Sequence, residues 1–313
     1  MIVEDQDRLT ADSEGFKVTT FMHDAVVIRS GIAQAVINRR GAELIGWQVG
    51  VNDLLWPGDS QGWNQTCPLM FPSCGWSESS LAEIKGQYYP MPVHGFVSML
   101  EFDVVSSSES EVTLEASDDE FTKTMFPFYF LFRITYKIVE SRLNIDISVK
   151  NTSYSAFLPY SIGIHPGFRW PLLSSRKDSW RLQFDKSESP LVPCISSQGL
   201  IRGDQRKISF RGRRLHLDET LFKNEALCFL NANSKRLSLV GEKVTIRIDA
   251  PDARNWVVWS LPQQDFLALE PCTGHGDIEG RRIPFDEREY NANLAPGEEQ
   301  QFRVRLEFLQ HED

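Results

Sequence analysis

The stretch FLFRITYKIVESRLNIDISVKN, residues 130–151, decides the fold class of this 313-residue chain. Apolar and polar side chains alternate at every second position on both sides of its central ESR turn. A period of two residues places side chains on the same face of a β-strand. The stretch therefore predicts a long antiparallel hairpin with one apolar face, formed by Phe130, Phe132, Ile134, Tyr136, Ile138, Leu143, Ile145, Ile147 and Val149.

Similar strand patterns extend in both directions from this hairpin, whereas signals for amphipathic helices are few. Closely spaced strands without strand–helix alternation predict an all-β fold, a large antiparallel β-sandwich with few short helices. The best helix candidate is LDETLFKNEA, residues 217–226. The absence of a long linker predicts one domain over residues 15–313, after a frayed acidic segment 1–14. The other predicted strand pairs and strands are VVIRSGIAQAVI (26–37), EFDVVSSSESEVTLEA (101–116), RLSLVGEKVTIRI (236–248) and FRVRLEF (302–308).

The composition is that of an ordinary soluble globular protein and favours a partner that is neutral, cationic or small. The chain is 41% hydrophobic, carries a formal net charge of -10 and has no Lys/Arg run, which argues against nucleic-acid and anionic-membrane partners. Its acidic N-terminus does not resemble a secretory signal, and no apolar run reaches about 18 residues. We therefore expect a cytoplasmic monomer or homodimer.

Five cysteines occur without a C-x-x-C spacing, so the sequence predicts neither a disulfide framework nor a zinc ribbon. The cysteines are most simply small buried apolar residues. We expect neither a metal ion nor a cofactor. A metal enzyme remains a third alternative, although no H-x-H motif with a nearby glutamate is present.

Two of the six histidines occur at irregular points of the strand pattern. His94 lies in MPVHGF, residues 91–96, and His165 lies in GIHPGF, residues 163–168. Glycine and proline beside a histidine indicate that the backbone leaves regular strand geometry there, which allows the imidazole to face a cleft. Either histidine alone is equally well explained as a hydrogen-bonded packing residue.

A third candidate lies in DFLALEPCTGHGD, residues 265–277. Glu270 ends an apolar strand there, and a carboxylate on the core side of a strand end costs free energy unless it has partners or a function. A surface glutamate at a strand terminus is the alternative explanation.

At this point the chain resembles the aldose 1-epimerases, or galactose mutarotase-like proteins, in particular their short bacterial-type branch. The resemblance covers nearly the whole chain after about residue 30 and depends on eight segments in the family's order. These are GAELIGWQVGVNDLLWPGDSQGWNQTCPLMFPSCG (41–75), YYPMPVHGF (88–96), FPFYFLFRITYKI (126–138), LNIDISVKNTS (143–153), LPYSIGIHPGF (158–168), LDETLFKNEAL (217–227), LALEPCTGHGD (267–277) and LAPGEEQQFRV (294–304).

The resemblance implies a β-supersandwich that interconverts the α and β anomers of an aldose, with His94, His165 and Glu270 in one sugar pocket. Opening a hemiacetal requires a base for the proton on O1 and an acid for the ring oxygen O5. We expect Glu270 to be the base, His165 to be the acid at O5, and His94 to be a second donor at O5 or the neighbouring hydroxyl.

The resemblance also indicates weaker substrate contacts. Asp218 lies where the family has an acidic residue that contacts sugar hydroxyls. A role as a helix N-cap is at least as good an explanation. Asp277 and His275 are expected to support Glu270 or to stabilise a glycine-rich turn. Trp76 and Trp63 are candidates for stacking on a sugar face, with core packing as the alternative.

The chain departs from the family at two positions where many relatives have arginine, namely at Trp76 and at Val97–Ser98. The missing arginines argue against a hexose-6-phosphate 1-epimerase, unless Arg39, Arg40 or Arg169 substitutes for them. They also leave open a non-catalytic carbohydrate-binding or regulatory protein on the same fold.

Overall fold

The computed structural model describes residues 24–173 and 175–311, so the segment 1–14, which was expected to fray, lies outside the described residues. Strands dominate the described part of the chain, which confirms the predicted all-β class. In chain order the first thirteen strands are β1 (Ala25–Ser30), β2 (Ala33–Asn38), β3 (Leu44–Val49), β4 (Asn52–Asp53), β5 (Leu69–Met70), β6 (Leu81–Ile84), β7 (Gln87–Pro90), β8 (Asp103–Ser107), β9 (Glu111–Ser117), β10 (Phe130–Val139), β11 (Arg142–Asn151), β12 (Leu158–Tyr160) and β13 (Gly163–Ile164).

The second half of the chain continues in the same way. Its strands are β14 (Gly167–Arg169), β15 (Arg181–Phe184), β16 (Leu191–Ile195), β17 (Ile201–Lys207), β18 (Phe210–Arg211), β19 (Arg214–His216), β20 (Leu227–Phe229), β21 (Arg236–Val240), β22 (Val244–Asp249), β23 (Asn255–Trp259), β24 (Phe266–Cys272), β25 (Ala292–Leu294) and β26 (Glu299–Gln310). The described helices are the single turn α1 (Glu120–Lys123) and the 3-10 helices Glu78–Ser80, Val97–Met99, Lys177–Ser179, Glu219–Phe222 and Phe285–Glu287.

The larger of the two main sheets has ten strands in the order β18-β19-β15-β21-β22-β26-β11-β10-β9-β8. The predicted hairpin lies within it as β10 and β11, which pair antiparallel from Phe130 opposite Asn151 to Val139 opposite Arg142. Every second residue of both strands is buried, as the sequence alternation predicts. The hairpin is therefore confirmed, including its apolar face.

The second main sheet has six strands, with β20, β23, β24, β13 and β5 side by side and β14 paired to β24. Strand β24 lies near its centre, and all seven residues of β24 are buried. A central strand that is buried on both faces must be covered by two layers. The ten-stranded sheet covers one face of the six-stranded sheet. On the other face, loops and the tip of the β16–β17 hairpin line a cavity.

Aromatic side chains join the two main sheets. The ring of Phe71, which follows β5, lies 5.1 Å from the ring of Phe130 and 5.3 Å from that of Phe132, measured between centroids. At the other end of the sandwich, the rings of Phe184 and Phe229 lie 4.9 Å apart. These contacts belong to one continuous apolar core between the sheets. The predicted antiparallel β-sandwich is confirmed.

The predicted helix over residues 217–226 is wrong in extent. The Leu217 N–H donates to the Trp180 carbonyl, only Glu219–Phe222 form a 3-10 turn, and Glu225 has a positive φ of 67°. A segment this short does not sustain an α-helix unless its packing favours one, and a positive φ ends the helix. Within the described residues, no helix has the length and apolar character needed to cross a lipid bilayer.

Candidate active site

Glu270 projects from the outer face of the six-stranded sheet. Along β24, Leu267 and Leu269 pack into the sandwich core, whereas Ala268 and Cys272 belong to apolar clusters outside that core. Because side chains alternate between the faces of a strand, Glu270 shares the face of Ala268 and Cys272. It lines a cavity of about 730 Å³. The expectation that Glu270 ends the strand on its core side is therefore wrong, since β24 continues to Cys272 and Glu270 faces away from the core.

His165 occupies the break between β13 and β14. Its N–H donates to the Pro68 carbonyl at 3.0 Å, and the Pro166 carbonyl accepts from the Leu269 N–H at 3.1 Å. Proline has no N–H, so the regular pairing with β24 is interrupted here while both flanking segments stay hydrogen-bonded. The imidazole lines the cavity next to Glu270 and is only 5% exposed.

His94 is held by the loop that follows β7. It adopts a left-handed backbone with φ of 63°, its N–H donates to the Gly75 carbonyl, and its carbonyl accepts from the Phe71 N–H. Gly95 also has a positive φ, and a Cβ there would lie 2.1 Å from the Phe71 carbonyl oxygen. Only glycine fits this close approach. The H-G pair therefore fixes where the imidazole enters the cavity.

The three predicted residues form one cluster. The Nε2 atom of His165 lies 3.2 Å from the Oε1 atom of Glu270, and both side chains are almost completely buried. The rings of His94 and His165 are 5.2 Å apart and nearly perpendicular, at 82°. One polar atom from each of the three residues lies within 4.8 Å of the others. The sandwich thus joins two motifs that are 71 residues apart in the sequence with a third from β24.

Burial disfavours charge throughout this cluster. It raises the pKa of Glu270 to about 8 and lowers the pKa of His94 to about 4. The pKa of His165 is also lowered, first by burial and then by the neighbouring His94. At neutral pH the closely spaced His165–Glu270 pair therefore holds one proton between its two groups.

The backbone fixes the tautomer of His94. The Gly75 N–H donates to His94 Nδ1 at 3.1 Å, so in the neutral ring Nδ1 holds a lone pair and Nε2 carries the proton. A metal ligand needs a free lone pair on nitrogen, and His94 has none left. His94 is instead a hydrogen-bond donor into the cavity. The cluster has the residue types of a metal centre, but this donor does not fit one.

Two tryptophans enclose the His165 ring. Trp63 lies 4.8 Å from it at an interplanar angle of 41°, and Trp259 lies 5.8 Å away at 82°. Both tryptophans line the cavity. Such packing leaves the imidazole few alternative orientations and lowers the polarity around the His165–Glu270 pair. Trp63, which was a candidate for sugar stacking, therefore also positions a histidine.

The part of the cavity wall formed by described residues carries no fixed positive charge. No Lys or Arg is found among the described residues that line it. Of the three arginines considered as substitutes, Arg39 bonds to the Phe102 carbonyl and to Asp103, Arg40 forms a backbone bridge with Glu101, and Arg169 pairs with β24. None of the three lines the cavity.

Two predicted contact residues lie elsewhere. Asp218 caps the 3-10 helix Glu219–Phe222 through the Thr220 N–H, as its alternative explanation predicted. Asp277 forms a buried ion pair with Arg288 at 2.6 Å and accepts the Glu78 N–H. Neither aspartate lines the cavity. These two substrate contacts are therefore not supported, because each carboxylate is already used to hold a turn.

The remaining predicted neighbours do reach the cavity. Trp76 lines it with 45% of its surface exposed. His275 also lines it, with Nδ1 bonded to the Gly276 carbonyl at 2.8 Å and its ring 3.9 Å from that of Tyr290. Trp259 was missed, although the apolar run NWVVW, residues 255–259, is typical of a buried strand beside Glu270. The tip of the hairpin β16–β17 also lines the cavity. Apolar and polar residues do not alternate clearly in its sequence, so the sequence did not predict this hairpin.

Comparison with known proteins finds relatives that cover most of the chain. The sequence profile described as Aldose 1-epimerase matches residues 24–307. Protein LacX (plasmid) from Lactococcus lactis subsp. lactis is 28% identical over 233 residues, which cover 71% of this chain and 78% of that protein.

Solved structures with the same fold include two from lactobacilli. A galactose mutarotase-like protein from Lactobacillus casei is 28% identical with a TM-score of 0.85, covering 91% of this chain and 100% of that one. A galactose mutarotase related enzyme from Lactobacillus acidophilus is 23% identical with a TM-score of 0.83, covering 91% and 97% of the two chains, which shows a shared fold. From the profile match across nearly all described residues, the chain belongs to the aldose 1-epimerase family.

Proposed function

We propose that this protein is an aldose 1-epimerase that interconverts the α and β anomers of a free aldose by general acid–base catalysis. The observation that carries the proposal is the buried contact of 3.2 Å between His165 Nε2 and Glu270 Oε1 on the floor of the cavity. Ring opening needs an ionised Glu270 and a protonated His165, which together hold one proton. This is the proton count that burial favours for the pair at neutral pH.

In the proposed reaction, Glu270 removes the proton from the O1 hydroxyl while His165 donates a proton to O5. The C1–O5 bond breaks, a C1=O1 double bond forms, and the open aldehyde rotates about C1–C2. Return of the proton to O1 and removal of the proton from O5 close the ring as the other anomer. No atom is gained or lost, so the same two groups serve both directions.

His94 has a separate role in this proposal. Its Nε2–H is a neutral donor because the Gly75 N–H occupies Nδ1. Such a donor stabilises a ring oxygen or a neighbouring hydroxyl without exchanging its proton, and its fixed direction orients the sugar. The pKa of His94, lowered to about 4, keeps this tautomer neutral at physiological pH.

Polarimetry tests the proposal. Freshly dissolved α-D-glucose and α-D-galactose are followed in dilute buffer with and without the protein, because buffer ions also catalyse mutarotation. The proposal predicts that the protein accelerates the approach to the same final rotation. A protein that binds these sugars, as shown by calorimetry, but leaves the rate unchanged would favour the non-catalytic carbohydrate-binding alternative.

A further inference from the structure

Two buried cysteines lie in the wall of the cavity near Glu270. Cys74 and Cys272 are 2% and 1% exposed, and both line the cavity. Together with Met70 they form an apolar cluster outside the sandwich core. A small molecule in the cavity can therefore reach both thiols, which the proposed reaction does not use.

The two sulfur atoms meet at the turn that follows β24. The Cys272 thiol donates to the Gly274 carbonyl at 3.2 Å. The Cys74 sulfur is hydrogen-bonded to the Cys272 thiol. It also accepts from the backbone N–H groups of Thr273 and Gly274. Two thiols in contact have the starting geometry for a disulfide, because a disulfide forms only between side chains that already approach each other closely.

The surroundings give the two thiols different acidities. Burial raises the pKa of Cys74, but the hydrogen bonds to Cys272, Ser161 and the turn outweigh burial and lower that pKa below its ordinary value. The pKa of Cys272 is raised well above its ordinary value, first by the hydrogen bond to Cys74 and then by burial. A thiolate is the nucleophile in cysteine oxidation. The pair therefore has the asymmetry of an attacking thiol, Cys74, and a resolving thiol, Cys272.

Each cysteine is connected to a residue of the candidate active site. Cys74 directly precedes Gly75, whose N–H donates to His94 Nδ1 at 3.1 Å and fixes its tautomer. Cys272 lies two positions after Glu270, on the same face of β24. A covalent bond between the sulfurs shortens their contact, and it therefore displaces both the donor that holds His94 and the carboxylate of Glu270.

We propose that Cys74 and Cys272 form a reversible oxidation site, which hydrogen peroxide converts into a disulfide that lowers the mutarotation rate. The Cys74 thiolate attacks one peroxide oxygen and becomes a sulfenic acid, and the other oxygen leaves as hydroxide and takes up the thiol proton. The Cys272 sulfur then attacks the sulfenic sulfur, and a second water leaves as the S–O bond breaks. Two electrons pass from the two thiols to one peroxide. The effect on the rate rests on the function proposed above, whereas the disulfide does not.

Peptide mapping by mass spectrometry tests the site, and polarimetry tests its effect. The full chain is treated with hydrogen peroxide and measured before and after addition of dithiothreitol. We expect a Cys74–Cys272 disulfide, two fewer titratable thiols in urea than the five of the untreated chain, and a loss of about tenfold or more in kcat/KM. Dithiothreitol should restore the thiols and the rate, which distinguishes the disulfide from methionine oxidation.

Two variants separate the roles of the thiols. Cys272→Ser should stop the reaction at the sulfenic acid of Cys74, so dimedone should label this variant more strongly than the parent. Cys74→Ser should form neither the disulfide nor the labelled product, and peroxide should leave its own untreated rate unchanged. The control is Cys194→Ser, since Cys194 is partly exposed and is not among the described residues that line the cavity. It should respond to peroxide as the parent does.

Three results would overturn this inference. Cys74 and Cys272 that stay reduced under the treatment would show that the pair is inert. A disulfide that instead includes Cys228, which also lines the cavity, would refute the assigned pairing. A Cys74–Cys272 disulfide with an unchanged rate would remove the effect on catalysis. If the parent mutarotates no sugar, the proposed function fails separately, and the peptide map and thiol count alone then decide the oxidation site.

Discussion

The Nε2 atom of His165 and the Oε1 atom of Glu270 lie 3.2 Å apart, although one residue lies in a break between two short strands and the other within a continuous strand. The contact is possible because β24 pairs with both β13 and β14, which flank His165. The pair is buried, so its two protonation equilibria depend on each other. Its proton count gives the first prediction.

Activity should be highest while the pair holds one proton. The pKa of Glu270 is raised to about 8, so above this pH the pair loses its proton and no acid remains for O5. The pKa of His165 is lowered well below 6.5, so the second proton, which would block the base, is added only in acid. We expect kcat/KM to be flat through neutrality and to fall about tenfold per pH unit above about 8. An activity that instead rises steadily from pH 7 to pH 10 would contradict the shared proton.

The two histidines should differ in their kinetic effects. His165→Ala removes the acid and should lower kcat by about 10² or more with little change in KM. His94→Ala removes a fixed donor that orients the sugar and should lower kcat and raise KM together. His216→Ala, on β19 and outside the cavity, is the control. Steady-state kinetics on the same aldose separates these cases, and negligible effects of both cavity variants would return the histidines to a packing role.

Gly95 should be required for the position of His94. Its φ is 77°, and an added Cβ would lie 2.1 Å from the Phe71 carbonyl oxygen. Gly86 has the same φ of 77° but nothing within 4 Å of an added Cβ. Gly86→Ala therefore measures the backbone cost alone, about 1 kcal/mol.

We expect Gly95→Ala to lose at least about 2 kcal/mol more than Gly86→Ala in urea unfolding, and to lose activity as well. Equal destabilisation by the two substitutions would show that the loop yields at Gly95 without cost. In that case the H-G pair would not fix the imidazole.

Much of this architecture can be predicted from the sequence, because strand alternation is a local signal. The hairpin over residues 130–151 has the predicted faces, since its inward side chains are apolar at every second position. The helix over residues 217–226 fails because the contact of Leu217 with the Trp180 carbonyl and the positive φ of Glu225 overrule a weak periodicity.

The candidate site can be predicted only in part from local sequence patterns. His94, His165 and Glu270 are identifiable as histidines and a carboxylate at irregular or apolar positions, and the family resemblance connects them. Their proximity in space depends on the order of the strands in the sheet, and no local sequence pattern contains that order. The tautomer of His94 depends on one N–H from Gly75, which is 19 positions away along the chain. Asp218 and Asp277 show the converse, since residue type alone does not reveal that a turn already uses the carboxylate.

Substrate charge should matter. With no Lys or Arg among the described lining residues and a formal net charge of -10, the cavity should disfavour a phosphate dianion. We expect kcat/KM for glucose to exceed that for glucose 6-phosphate, with the gap narrowing as added salt screens the repulsion. A preference for the phosphate ester that weakens with salt would reveal an anion site and favour the hexose-6-phosphate alternative.

The assignment of Glu270 as the base is tested most directly by the mutarotation rate of Glu270→Gln, measured by polarimetry on the best aldose substrate. The amide keeps the shape of the side chain but cannot take the O1 proton, so the rate should fall by about 10² to 10⁴ while circular dichroism stays unchanged. The matched control is Glu43→Gln, which alters a partly buried carboxylate that accepts the Thr66 and Cys67 N–H groups outside the cavity. It should retain the parent rate per folded molecule. A folded Glu270→Gln protein that catalyses at the parent rate would contradict the account.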